Sequence, residues 1–287
     1  MNEYIIITDS GSDLPESMAA DLGVRVLPLN VTFDGEESIP DDKIARKEFY
    51  AKLRGGKMAK TAAVNIDEFF TCFEPYMQAG TDILYVGFSS GLSSTFQASK
   101  MAAEELMEKY PERKIVTVDS LCASLGQGLL VYLAAMEKRN GKTLEEVGAW
   151  VEANKMNLVH WFTVDDLNFL KRGGRISATT ALVGGMLQIK PVMHVDDEGH
   201  LTKVTTARGR RASIKALFDK IPATAIRPEE QVFFISHGDC LEDAEYLAGL
   251  IKEKYAGVTV VCDYVGAVIG AHSGPGTLAL FFVGTER

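Results

Sequence analysis

The chain has 287 residues, 46% of them hydrophobic and 24% charged, with a formal net charge of −9. This is an ordinary globular composition, long enough for two domains, and its acidic balance disfavours general binding to nucleic acid or to anionic membrane surfaces. No apolar run approaches the ~20 residues that span a bilayer, and Met1-Asn2-Glu3-Tyr4 lacks the basic start of a secretion signal, so a cytoplasmic location with no transmembrane segment is expected.

Tyr4 to Thr8 is a β-branched run that predicts a first strand, ended by Asp9-Ser10-Gly11-Ser12-Asp13. Pro15 then opens a short helix that Gly23 can close. Val26 to Phe33 reads as a second strand, followed by a short helix around Lys47 to Leu53. Asn65 can cap an amphipathic helix over Ile66 to Gln78. Ile83 to Phe88 and Ile115 to Val118 are the third and fourth strands. The helix between them runs from Thr95 to Tyr110, with Ser94 and Gln97 spaced as a capping box. Alternation of this kind predicts a parallel sheet with helices on both faces.

The second half reads differently. Helices are expected over Leu121 to Lys138 and Thr143 to Met156, then a strand over Leu158 to Val164. Pro191 to Val195 and Leu201 to Thr205 flank Asp196-Asp197-Glu198-Gly199, a hairpin signal. Val232 to Ser236, Val258 to Asp263 and Leu278 to Val283 are further strands. A hairpin among strand–helix units predicts a mixed sheet. The expected class is therefore α/β with two domains: residues 1–157 as a parallel α/β/α sandwich and 158–287 as a mixed α/β domain.

The four cysteines, Cys72, Cys122, Cys240 and Cys262, show no C-x-x-C spacing, which argues against a zinc site, a redox pair or a disulfide framework. Ligands of such sheets gather beyond the carboxyl ends of the strands, and three strand-end segments here are rich in hydroxyls: Thr8 to Asp13, Ser89 to Thr95, and Asp119-Ser120. Lys60-Thr61-Ala62-Ala63 is a fourth polar segment. Ser89 to Thr95 joins a strand to a helix start, where free backbone N–H groups and hydroxyls can hold an anion or simply cap the helix. Gly87-Phe88-Ser89-Ser90-Gly91 is also a literal G-x-S-x-G, with Asp263 and His272 following in hydrolase order. A serine acyl hydrolase using Ser89 and His272 is the alternative reading, although no HGGG-type oxyanion loop precedes it. His272 lies in a Gly-Pro-Gly loop. The basic residues fall into two groups, Lys171, Arg172 and Arg175, and Lys203, Arg208, Arg210 and Arg211. No Walker A loop occurs.

Taken in order, Thr8 to Pro15, Phe88 to Gln97, Val118-Asp119-Ser120, Leu170-Lys171-Arg172-Gly173-Gly174-Arg175-Ile176-Ser177, Ile189-Lys190-Pro191 and Gly270 to Gly276 resemble the DegV family over essentially the whole chain. The resemblance implies a two-domain α/β protein with a long-chain fatty acid, palmitate-like or mono-unsaturated, held between the domains. It implies a carrier that needs no cofactor or metal and works beside a separate fatty acid kinase, which phosphorylates the carboxylate. It places that carboxylate at hydroxyls matching Thr61 and Ser93, with Ser94 adjacent, near His272 and an arginine of the Gly-Gly loop, Arg172. It assigns kinase docking to Arg172, Arg175, Arg208 and Arg211. The sequence departs from the family at Ala62-Ala63-Val64-Asn65, where a polar residue, a proline and a serine are usual, and at Ser94, where glycine is usual. The family fold also resembles that of dihydroxyacetone kinases, but a nucleotide loop for phosphotransfer is missing. Met186, Leu187 and Val265 to Ile269 are candidates for the acyl tunnel or for plain core.

Overall fold

The computed structural model describes residues 3–177 and 188–287; Met186 and Leu187 lie outside the described residues. The first half contains β1 (Tyr4–Asp9), α1 (Glu16–Leu22), β2 (Val24–Leu27), β3 (Asn30–Phe33), β4 (Ile39–Pro40), α2 (Arg46–Arg54) and β5 (Ala59–Ala62). It continues through α3 (Ile66–Gln78), β6 (Asp82–Gly87), α4 (Thr95–Lys109), β7 (Ile115–Asp119), α5 (Leu125–Arg139) and α6 (Leu144–Asn154). The second half has β8 (Leu158–Thr163), α7 (Leu167–Arg172), β9 (Ile189–Val195), β10 (Leu201–Arg208), α8 (Arg210–Phe218) and α9 (Ile221–Thr224). It ends with β11 (Val232–His237), α10 (Leu241–Lys254), β12 (Thr259–Tyr264), α11 (Ala267–Ser273) and β13 (Leu278–Val283).

The expected α/β class, with a parallel and a mixed sheet, is observed. In the N-terminal part, β2-β1-β6-β7 form a parallel sheet. In the C-terminal part, β10-β9-β8-β13-β11-β12 form a mixed sheet in which β11 and β12 are the parallel pair. Helix α3 follows its sequence signals. The Asn65 side chain and Glu68 close a capping box on α3, and Phe69, Phe73 and Met77, four apart, form its buried stripe.

Three expectations need correction. Val26 to Phe33 is not one strand: Pro28 interrupts it, β2 stays in the parallel sheet, and β3 pairs with β4 and β5 in a small antiparallel sheet. That sheet places the polar segment Lys60-Thr61-Ala62 in a strand. The Ser94–Gln97 capping box does not form, because Ser94 makes no side-chain cap bond. Ser93 Oγ instead accepts the Thr95 N–H at 3.2 Å. Finally, α5 begins at Leu125 rather than Leu121, because Leu121 (φ 52°) and Ser124 (φ 53°) take left-handed backbone that a helix excludes.

The core runs through α5. This helix buries Leu125, Leu129, Leu130, Val131, Ala134 and Ala135. It packs against β1 and β6 of the parallel sheet and against β8, β11 and β13 of the mixed sheet.

Candidate functional site

A cavity of about 290 Å³ lies where the strand ends of the parallel sheet meet the inner face of the mixed sheet. Leu29, Phe88, Leu92, Phe162, Val268 and Phe281 give it an apolar lining. Of the stretch Val265 to Ile269, Val265, Val268 and Ile269 line it, while Ala267 is fully buried in core. Thr61, Ser93, Ser94, Arg175 and His272 also line it. Thr61, Arg175 and His272 are shared with a second cavity of about 370 Å³ that includes Met58, Lys60, Phe169 and Arg172. The shared residues form the partition between the two spaces.

Each of these side chains is held by its element. Thr61 points inward from β5, and its Oγ1 lies 2.8 Å from His272 Nε2. Beyond the strand, the Val64 N–H donates to Thr95 Oγ1 at 3.3 Å, and that hydroxyl is 2.9 Å from Ser93 Oγ. The Ser93 loop hangs from Asp9, a buried carboxylate that accepts the Phe88 N–H at 2.9 Å and the Tyr85 hydroxyl at 2.6 Å. His272 rides on α11. The buried Asp41 carboxylate accepts the Ala267 and Val268 N–H groups that start this helix, at 3.0 and 3.2 Å, and Arg46 grips Asp41 with two bonds of 2.8 and 2.9 Å. Sequence reasoning missed Asp41 and Arg46; they lie more than 200 residues from the helix they anchor, and no local pattern marks them.

The Gly-Gly loop explains Arg175. A Cβ on Gly173 would overlap His272 Nδ1, so glycine lets the imidazole lie against the backbone. Gly174 has φ +71°, which turns the chain back. Arg175 then reaches the Leu92 carbonyl with Nε at 3.2 Å and Nη2 at 2.9 Å. Arg175 is half-buried, and burial pulls its guanidinium down from the ordinary value. Among the described residues no carboxylate pairs with it. Burial first, and the Arg175 charge second, push His272 down to about 4, so its ring is neutral near pH 7. With the proton on Nε2, His272 donates to Thr61 and leaves the Thr61 hydroxyl proton for a ligand oxygen. An unpaired cation, a neutral imidazole and two hydroxyls at the rim of an apolar cavity suit an anion with an apolar tail.

Not every candidate converges there. Arg172 ends α7 outside the main cavity, with its guanidinium 4.5 Å from the Phe169 ring centre; Arg175 occupies the inward position instead. Arg208 and Arg211 are exposed, and Arg211 lies 4.0 Å over the Tyr246 ring. Arg210 is tied to Asp243 at 2.8 Å. The hydrolase reading fails on geometry. Ser89 is fully buried, and its Oγ donates to the Gly199 carbonyl at 2.8 Å. His272 is engaged with Thr61, and Asp263 accepts from the Tyr264 N–H. The second glycine of the motif is there for contact: a Cβ on Gly91 would come 2.8 Å from the Glu198 carbonyl oxygen. The G-x-S-x-G pattern thus records the docking of the β9–β10 hairpin onto the Ser89 loop. Among the described residues no cluster of three metal-ligating side chains occurs, and no helix is long and apolar enough to cross a membrane.

The family model described as "Uncharacterised protein, DegV family" matches residues 4–285. A DegV domain-containing protein of Clostridium perfringens is 49% identical over 289 residues, covering 100% of this chain and 99% of its own length. A solved DegV family protein from Thermus thermophilus, described for its fatty acid binding, shares 29% identity with a TM-score of 0.85 over 98% of this chain and 99% of that one. DegV from Bacillus subtilis, described as a fatty acid binding protein, shares 26% identity with a TM-score of 0.86 over 98% of this chain and 99% of that one.

Proposed function

This chain belongs to the DegV family, and from that premise we propose that it binds a long-chain fatty acid in the cavity and presents the carboxylate to a separate fatty acid kinase for acyl-phosphate formation. It acts as a carrier, and the kinase performs the chemistry. The observation that carries this reading is Arg175, a half-buried cation without a carboxylate partner among the described residues, at the polar rim of an apolar cavity. The fatty acid lies between the units 1–157 and 158–287. Its carboxylate accepts from Arg175, Thr61 and Ser93, with Ser94 and His272 beside it.

The energetics fit such a division of labour. Burying ~14 methylenes at about 0.8 kcal/mol each contributes on the order of 11 kcal/mol before ordering costs, whereas a hydrogen bond to a charged group adds ~1.5–3 kcal/mol. The apolar walls therefore set affinity, and the rim sets direction and head-group choice. The second cavity, on the far side of Thr61, Arg175 and His272, gives a kinase access to the carboxylate. Arg172, Arg208 and Arg211 supply an exposed cationic surface for an acidic face of that kinase.

The test is solvent extraction and mass spectrometry of protein purified from a bacterial host, with about one fatty acid per chain expected. Delipidated protein that takes up no added fatty acid overturns the reading. Acyl-phosphate formation with a fatty acid kinase tests the presentation step separately.

A further inference from the structure

The main cavity carries hydroxyls that a carboxylate at the rim does not need. Ser236 lies on β11 two residues after Phe234, and so on the same face of the mixed sheet. It pairs with Ala279 and lines the cavity together with Phe281 and His160. Its Oγ is 3.0 Å from Ser124 Oγ, and Ser124 is bonded in turn to the carboxyl of Asp13. Ser273 also lines the cavity. It is 4% exposed, and its Oγ has no hydrogen-bond partner. Thr277, whose hydroxyl donates to the Ser273 carbonyl at 3.0 Å, stands two residues before Ala279, the strand partner of Ser236. His160 cannot serve either serine: Nδ1 is 2.8 Å from the Leu158 carbonyl oxygen and Nε2 faces the Ala123 N–H.

A buried hydroxyl without a partner is unfavourable, and native proteins seldom leave one in an apolar wall. The row from Asp13 to Ser236 adds a second constraint. Burial above all pushes the Asp13 carboxyl up to about 8. When Asp13 holds its proton, each group can donate to the next, and Ser236 ends the row by donating into the cavity. When Asp13 is ionised the row reverses, and Ser236 presents an acceptor. A ligand hydroxyl both donates and accepts, so it satisfies the wall in either state; a keto oxygen satisfies only one.

We propose that the preferred ligand is a long-chain fatty acid bearing a hydroxyl on its chain, received by the wall that Ser236 and Ser273 supply. This rests on the fatty-acid reading above and names the substrate class of the same cavity. In a wholly apolar tunnel an added hydroxyl weakens binding; here the wall receives it.

The test measures dissociation constants for palmitic acid and for a positional series of hydroxypalmitic acids, using the full-length delipidated protein. At least one isomer with its hydroxyl away from the carboxylate should bind as tightly as palmitic acid or up to ~10-fold tighter. For that isomer, Ser236→Ala and Ser273→Ala should each lower the ratio of hydroxypalmitate to palmitate affinity by about 10-fold. The ratio is insensitive to a general loss of folded protein, and the wild-type series needs no variant. Every isomer binding at least ~10-fold weaker than palmitic acid, or ratios unchanged in both variants, overturns the proposal while leaving the fatty-acid reading intact. Failure of palmitic acid itself to bind overturns both.

Discussion

The two basic segments have nearly the same composition and different fates. In Lys171 to Arg175 the last arginine turns into the cavity rim and meets only carbonyls, while Arg172 stays outside on the Phe169 ring. In Lys203 to Arg211 the second arginine, Arg210, turns inward and meets the carboxylates of Asp243 and Asp165, at 2.8 and 3.8 Å. Arg208 and Arg211 stay outside. In each segment a glycine with positive φ, Gly174 or Gly209, sets the turn that aims one arginine inward. What that arginine finds there decides its role: a partner makes it structural, and the lack of one leaves a charge for a ligand.

Arg175→Ala should have the largest effect. Losing one charged hydrogen-bond donor should weaken fatty acid binding by ~1.5–3 kcal/mol, or roughly 10- to 100-fold, in a direct binding titration. Wild-type affinity in that variant would erase the contrast between the segments. Arg210→Ala should instead cost about 1 kcal/mol of stability, since its ion pairs are partly solvated. Chemical denaturation should show a lower midpoint, with fatty acid affinity unchanged. Arg208→Glu should keep both stability and lipid, yet slow association with a fatty acid kinase and flatten its dependence on salt; kinase-coupled acyl-phosphate formation across salt concentrations reports it. An unmutated rate at every salt concentration would reduce Arg208 to a solvated charge.

The smallest expected effect is a titration. Burial is the larger cause of the low His272 value and Arg175 the smaller. Arg175→Ala should therefore raise the His272 midpoint only part of the way from about 4 toward the ordinary 6.5, as read by NMR. The same shift makes His272 a source of acid sensitivity. Unfolded, the ring takes up a proton near 6.5; folded, it resists until about 4. The unfolded state thus binds more protons across that interval, and its contribution to stability is present above 6.5 and lost as the pH falls toward 4.

Much of the fold was legible because its signals are local. Asn65 and Glu68 fix the start of α3 within four residues, and the alternation of strand and helix fixes the parallel sheet. The small sheet escaped because β5 is the short segment Ala59–Ala62, whose pairing with β3 depends on Pro28 ending β2 a few residues earlier. The site was legible as a set of motifs but not as a geometry. Thr61 and His272 are 211 residues apart and meet at 2.8 Å; only a resemblance to known proteins joins them beforehand. The choice of Arg175 over Arg172 needs the turn at Gly174, and the structural role of Ser89 needs the hairpin that covers it.

Helix α5 has a mechanical consequence. Because its buried residues support the parallel sheet on one side and the mixed sheet on the other, the core face that each sheet turns toward the helix is uncovered once the helix leaves. The halves cannot swing apart as rigid bodies without exposing Leu129, Leu130 and Val131, so under the proposed function exchange of the fatty acid would fall to small movements at the cavity rim. Calorimetry should record a single heat-absorption peak for the whole chain, displaced to higher temperature by a bound acyl ligand in proportion to the logarithm of its concentration. Two resolved peaks would mean that the halves melt separately and that this helix belongs to only one of them.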